Sequence, residues 1–233
     1  DGRDNDGNIT QTVAGVKQLT SIEGKFKGVR QGTGVGDNRY STHSRTTITT
    51  SSKIIVMAAA EIWFLRAEAA LRGFTSEDVE SCYKQGVTTS FAQWDASGVS
   101  EYLESENTPA DYVDTFDKNF DAKATTSITP KWDNTADNET KLERIITQKW
   151  LAIYPEGCEA WAEQRRTGYP KLFKVVVNNS SNAISTDDMI RRVFFNQDYI
   201  TNNKPLYDAL VSKLGGLDTG GTRLWWDTGK NNF

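Results

Sequence analysis

The sequence predicts a mostly α-helical fold, built from paired antiparallel helices joined by long irregular loops. Three observations predict it. Apolar residues recur at spacings of three and four over residues 53–72 and again over 137–153. Each run is followed by glycine or proline punctuation and then by a second helical pattern. Residues 20–52 and 97–136, in contrast, hold no sustained helical period. The expected organisation is a loop-rich entry segment over 1–52, the candidate ligand-loop region, and a single helical region over 53–233.

The first eighteen residues, "DGRDNDGNITQTVAGVKQ", read as a loop, with no initiator methionine, signal peptide or lipoprotein cysteine. With Gly7 as the sixth position of a calcium loop, Asp6 and Asp4 fall at the fifth and third. Gly2 and Val13 then stand where the first ligand and the bidentate glutamate belong, so a solvated turn is preferred over a structural calcium. No cofactor is expected. Residues 20–52 are rich in Gly, Ser, Thr and Arg, and could hold short strands within a loop. Loops of this length in compact domains are functional or disordered. "GTGVGD" (32–37) neither follows a clear strand nor opens a helix, which makes a phosphate cradle a weak reading.

From Lys53 to Arg72, the residues Ile55, Ala58, Ile62, Leu65 and Ala69 predict one apolar helix face. Gly73 supplies the left-handed stop. Thr75 or Ser76 is the expected cap of the next helix, with Glu77 and Asp78 in its first turn. Its predicted buried face is Val79, Cys82, Tyr83, Gly86, Val87, Ser90, Phe91 and Trp94. Leu65, Gly73, Tyr83 and Gly86 nearly follow a tetratricopeptide pattern. Glycine at 86 costs about 1 kcal/mol of helix propensity, which close helix approach would explain.

Residues 97–136 read as a surface insertion with short helices, pinned to the core by Tyr102, Tyr112, Phe116, Phe120 and Trp132. A helix starting near Asp137 is predicted from Leu142, Ile145, Ile146, Trp150 and Ile153, broken by Pro155 and Gly157. A second runs over about 156–166, stopped by Gly168 and Pro170. Tyr154, Glu156, Glu163, Arg165 and Arg166 have the residue types of a reaction centre. Their helical spacing instead predicts scaffold: Trp161 and Arg165 four apart for a cation–π contact, and Glu156, Glu159 and Glu163 as a solvated or salt-bridged face. Tyr83, Trp150 and Trp161 are expected between helices, and one of Trp225 and Trp226 against the body.

Composition excludes several classes. A net charge of −4 lacks the basic footprint of a nucleic-acid binder. No run of 18 apolar residues is present, so no spanning helix is predicted. Cys82 and Cys158 are too few for a disulfide framework or zinc site and read as small buried side chains. His43 is the only histidine, which argues against a metal-hydrolase cluster or a Ser-His triad.

"AEIWFLRAEAALRGF", "CYKQGVTTSF", "ITQKWLAIYPEGCEAWAEQRRTGYPKL", "IRRVFFNQDYITNNKPLYDAL" and the late "TRLWWD" together resemble the carboxy-terminal part of the SusD/RagB family. The blocks keep the family's order from about Lys53 to Asp227. The resemblance implies a SusD-like α-α superhelix with tetratricopeptide-like pairs. It implies a non-catalytic protein of the Bacteroidetes outer membrane, exposed at the cell surface and lipid-anchored through a preceding segment that has no counterpart here. It implies glycan as ligand, or peptide in some members, and a SusC-like TonB-dependent transporter as partner. Ligand residues of the family lie largely in loops ahead of the "RAEA" helix. That points to Arg30, Asp37, Asn38, Arg39 and Tyr40, with Trp132 from the later insertion as an additional ring. Sugars offer apolar faces for stacking and hydroxyl rims for Asn, Asp and Arg. A generic helical-repeat interaction module is the remaining alternative.

Overall fold

The computed structural model describes residues 8–13, 16–21, 26–34, 43–44, 46, 48–52, 54–114 and 117–233, with the first two segments described in backbone only. The fold is mostly α, as predicted. The chain forms two compact units. The first comprises Asp1–Ile54, Ala110–Ala124 and Phe173–Asn179; the second comprises Ile55–Pro109, Thr125–Leu172 and Ser180–Phe233. The sequence placed a boundary after residue 52 but did not anticipate that the two later segments join the first unit. Their partners lie far away along the chain, as where Arg30 meets the carbonyls of Phe120, Asp121 and Lys174, so no local pattern places them there.

In the first unit, β1 (Asn8–Val13) and β2 (Val16–Ser21) pair antiparallel, with Val13 opposite Val16 and Asn8 opposite Ser21. This stretch reads as loop in the sequence, yet β-branched Ile9, Thr10, Thr12 and Val13 favour the extended backbone. The segment Ala110–Ala124 closes on itself through a bridge between Tyr112 and Ala122 and a 3-10 turn over Lys118–Phe120. Asp117 caps that turn by accepting from the Asn119 N–H.

The second unit holds the helices. They are α1 (Ala59–Leu71), α2 (Val79–Gln93), α3 (Val99–Leu103), α4 (Asn138–Ala152), α5 (Gly157–Thr167), α6 (Gln197–Asn202) and α7 (Lys204–Leu214). α1 packs against both α2 and α4, and the core is Ala60, Phe64, Ala67, Tyr83, Val87, Leu142, Ile145, Ile146 and Ala152. Several expectations hold. Gly73 and Gly168 adopt positive φ at the helix ends. Asp137 caps α4 through the Thr140 N–H. Gly86 lies against Phe64, with no room for a side chain.

Others are corrected. α1 starts at Ala59, not near Lys53; Ile54 and Val56 lie exposed ahead of it. Its buried face is Ala60, Phe64 and Ala67, whereas Ile62 and Leu65 are exposed. The segment is apolar on nearly every side, so period alone selects no face. Asp78, not Thr75 or Ser76, caps α2, its carboxylate accepting from the Ser81 N–H (2.8 Å). Tyr83 is fully buried, with its hydroxyl donating to the Pro130 carbonyl, but Trp150 and Trp161 are only half-buried. Cys82 is buried and Cys158 exposed, and both are free thiols. α6 and α7, unread from local pattern, carry ordinary signals: Asn196 and Asn203 caps, Pro205 in the first turn, and Gly215 in the left-handed region.

Candidate functional site

The expected ligand loop lies in the first unit. Asp37, Asn38, Arg39 and Tyr40 fall outside the described residues, as does the candidate calcium segment over residues 1–7. Arg30 is described, and its guanidinium is committed to backbone. Nη1 donates to the carbonyls of Phe120 (2.9 Å) and Asp121 (3.0 Å), and Nη2 to that of Lys174 (2.7 Å). The ring of Phe173 lies 5.7 Å away. Arg30 thus braces three chain segments, and a lysine there would lose the fork that reaches them together.

The base of the loop is closed by paired strands of coil. The Ser44 N–H donates to the Lys27 carbonyl (2.9 Å), and the Lys27 N–H to Ser44 Oγ (2.7 Å). Lys27 Nζ sits 4.7 Å above the Tyr112 ring. His43 is buried, its Nδ1 3.3 Å from the Gly28 carbonyl. Burial pushes the imidazole below its ordinary value, against the opposing pull of the Gly28 carbonyl and Asp114. Burial likewise raises the Tyr112 phenol to about 12, and Asp114 adds to it. Gly32 and Gly34 of "GTGVGD" have a packing role. Gly32 has φ +72°, an added Cβ would lie 2.6 Å from Val175 Cβ, and its carbonyl accepts from the N–H groups of Val176 (2.9 Å) and Val177 (2.8 Å).

The charged residues of α4 and α5 form a neutralised cluster inside the second unit. Lys149, 1% exposed, has its ammonium 3.3 Å from Glu61 and 3.4 Å from both Glu159 and Glu163. Arg166 donates two 2.6 Å bonds to Glu68 and two 2.9 Å bonds to Glu163. Burial works to raise the Glu68 carboxyl, but Arg166 and Arg72 hold it below its usual range. A general acid or base needs a pKa near the working pH. Glu68 is driven away from it, and both its oxygens are held by arginine. Of the face expected to be solvated or salt-bridged, Glu159 and Glu163 are bridged and Glu156 is exposed.

At the carboxy-terminal end, the Arg165 guanidinium stacks 3.7 Å from Trp161 and lies 5.4 Å from Trp226. Asp227 accepts from Arg191 (2.6 Å) and Arg223 (2.6 Å), so this segment folds onto the body. Trp225 is 91% exposed beside an open cleft of about 310 Å³ lined by Phe195, Leu210, Leu214 and Leu224. Trp132, the additional stacking candidate, is a core residue instead. Its ring packs 5.0 Å from Tyr83 and its Nε1–H donates to Asn134 (2.9 Å), which leaves no open face for a ligand.

A family model described as Susd and RagB outer membrane lipoprotein matches residues 5–227. The chain belongs to the SusD-like family. A SusD homologue from Bacteroides vulgatus is 51% identical, with a TM-score of 0.81 over 89% of this chain and 44% of that one. A chitin-binding SusD homologue from Flavobacterium johnsoniae is 46% identical, with a TM-score of 0.74 over 77% of this chain and 38% of that one. A SusD homologue from Bacteroides uniformis is 39% identical, with a TM-score of 0.80 over 87% and 43%. The SusD-like chain therefore spans less than half the length of these relatives. No curated protein matches it significantly.

Within this SusD-like chain, no described helix is long and apolar enough to cross a membrane. Among the described residues, no three His, Cys, Asp or Glu side chains cluster as metal ligands would. Trp94, expected on the buried face of its helix, is instead exposed at the helix end, where its ring meets that of exposed Tyr154 at the end of α4. Their position just past a helix end was readable, but their adjacency was not.

Proposed function

We propose that this chain is the carboxy-terminal part of a cell-surface glycan-binding lipoprotein, which passes oligosaccharide to a SusC-like TonB-dependent transporter without cleaving it. The observation that carries the reading is the 46% identity to a chitin-binding SusD homologue. Ligand contacts are assigned to the loop over residues 26–45. There Tyr40 would stack on a sugar face, and Asp37, Asn38 and Arg39 would bond its hydroxyls. Arg30 would act from behind, bracing the loop through the carbonyls of Phe120, Asp121 and Lys174. Glu68 and Glu163 are both tied to Arg166 as ion pairs, a structural use of these acids that is in keeping with binding. A delivery protein must release its cargo, so weak and reversible binding is expected.

Calorimetry against oligosaccharides of several linkages, chito-oligosaccharides included, tests this. The parent should bind at least one neutral glycan and release no reducing sugar. Tyr40→Ala should remove most of the binding heat. Unchanged binding by the variant would move the site away from the loop. Binding of peptides and of no glycan would replace the reading with a peptide-binding one.

A further inference from the structure

The loop account leaves an aromatic surface of the second unit unused. α2 ends at Gln93 and α4 at Ala152. Just past these ends stand Trp94 and Tyr154, with ring centroids 6.2 Å apart and planes inclined at 49°. Trp94 is 41% exposed and Tyr154 46%, and Leu151, one turn back on α4, is 48% exposed. The pair is therefore a surface feature set on two packed helices rather than part of the core.

The polar tips of the rings separate this pair from the scaffold aromatics. The hydroxyl of Tyr83 donates to the Pro130 carbonyl, that of Tyr102 contacts Gln148, and that of Tyr169 donates to Glu139. The indole N–H of Trp161 donates to the Ile190 carbonyl. Neither Trp94 Nε1 nor the Tyr154 hydroxyl has a hydrogen-bond partner among the described residues, so both remain available beside an open ring face. The backbone at the pair is held firmly. Asp95 takes φ +50°, unusual for a non-glycine residue, and the Ala96 N–H closes the helix end onto the Phe91 carbonyl (2.9 Å). A rigid platform loses little entropy when a ligand settles on it.

Charge narrows the ligand. The ionisable residues next along the two segments, Asp95 and Glu156, are both acidic, and neither has an ion-pair partner among the described residues. Exposed acids this close along the chain disfavour carboxylate and sulfate ligands at the pair. A protein partner fits poorly, because two rings and one leucine fall far short of the roughly 800 Å² that a stable interface takes from each side. Exposed rings with free donors and acids next along the chain match a neutral pyranose chain, whose C–H faces would lie on the rings.

We infer that Trp94 and Tyr154 form an accessory carbohydrate subsite for neutral glycans. The inference rests on the glycan reading above and extends it to a second surface, one that strengthens binding of long chains over short ones. The test is calorimetry and affinity electrophoresis of the whole chain against chitohexaose, cellohexaose and soluble β-glucan, with polygalacturonate as the acidic control. Tyr154→Ala and Trp94→Ala should each weaken binding of the neutral glycan about tenfold, the equivalent of one lost stacking contact. Tyr154→Phe, which keeps the ring face, should retain most of the affinity. Melting temperatures check that each variant is folded, and Tyr154→Ala decides the matter if Trp94→Ala is not. If Tyr40→Ala loses binding while Tyr154→Ala binds as the parent does, the subsite is refuted and the loop reading stands. Preference for polygalacturonate overturns the assignment of neutral sugars. A parent that binds none of these glycans overturns both readings.

Discussion

Replacing Gly86 by alanine adds one methyl group where α2 meets α1. An ideal Cβ at this position lies 2.7 Å from Phe64 Cε1, 2.8 Å from Cζ and 2.9 Å from Cδ1. Carbon pairs prefer about 3.5–4.0 Å, so three atoms of one ring edge would have to retreat together. Phe64 has little freedom to do so. It is buried, it packs edge-on against Tyr83 at 6.2 Å, and Tyr83 is tethered to Pro130 through its hydroxyl. Overpacking of this kind costs about 1–3 kcal/mol. The same substitution gains about 1 kcal/mol of helix propensity, which works in the opposite direction. The expected net result is a loss of about 0–2 kcal/mol. For a chain of this size each kcal/mol corresponds to a melting shift of roughly 2–4 °C. Urea denaturation followed by far-UV circular dichroism measures it, with Phe64→Leu as a second background. In the Phe64→Leu protein the ring edge is gone, so the penalty of Gly86→Ala should shrink or change sign, and the double-mutant cycle should show clear coupling. A Gly86→Ala protein more stable than the parent, with no coupling to Phe64→Leu, would refute the close-approach argument.

Two further expectations concern the scaffold. Trp161→Ala should cost about 1–2 kcal/mol, because the lost ring is half-buried and gives up one hydrogen bond to Ile190 and one cation–π contact with Arg165. Trp225→Ala should change stability by no more than about 0.5 kcal/mol, as surface changes do, and a larger loss would show that its ring is packed in solution. His43 predicts a pH dependence. Its folded value is depressed by burial, so its contribution to stability is complete above the unfolded value of about 6.5 and is lost as pH falls through the lower folded value. The melting temperature should therefore decline between about pH 7 and pH 5, and His43→Asn should flatten that slope whatever its own stability. Since His43 is the only histidine, stability that rises over this interval would contradict the burial argument.

Local chemistry was legible in the sequence wherever neighbours along the chain decide it. Gly73, Asp137 and Gly168 mark helix ends because a left-handed backbone or a cap acts within a few residues. The Trp161–Arg165 contact follows from a four-residue spacing on one helix. Gly86 was readable as a close approach because its helix-propensity cost otherwise had no explanation. The tertiary structure alone decided which face of α1 is buried, since Ile62, Trp63, Phe64 and Leu65 crowd all sides of it and only the positions of α2 and α4 select Phe64. It alone separated solvated from buried charge. Glu163 looks like any surface acid until folding brings Lys149 against it, and its helix neighbour Arg166 meets Glu68 from 98 residues away. The same holds for Arg30, whose roles as brace and as ligand contact differ only in whether carbonyls 90 and 144 residues distant occupy its donors. Caps and periods are set by bonded geometry, which the sequence carries directly. Partners across the fold are set by which surfaces meet, and that is a property of the packed chain.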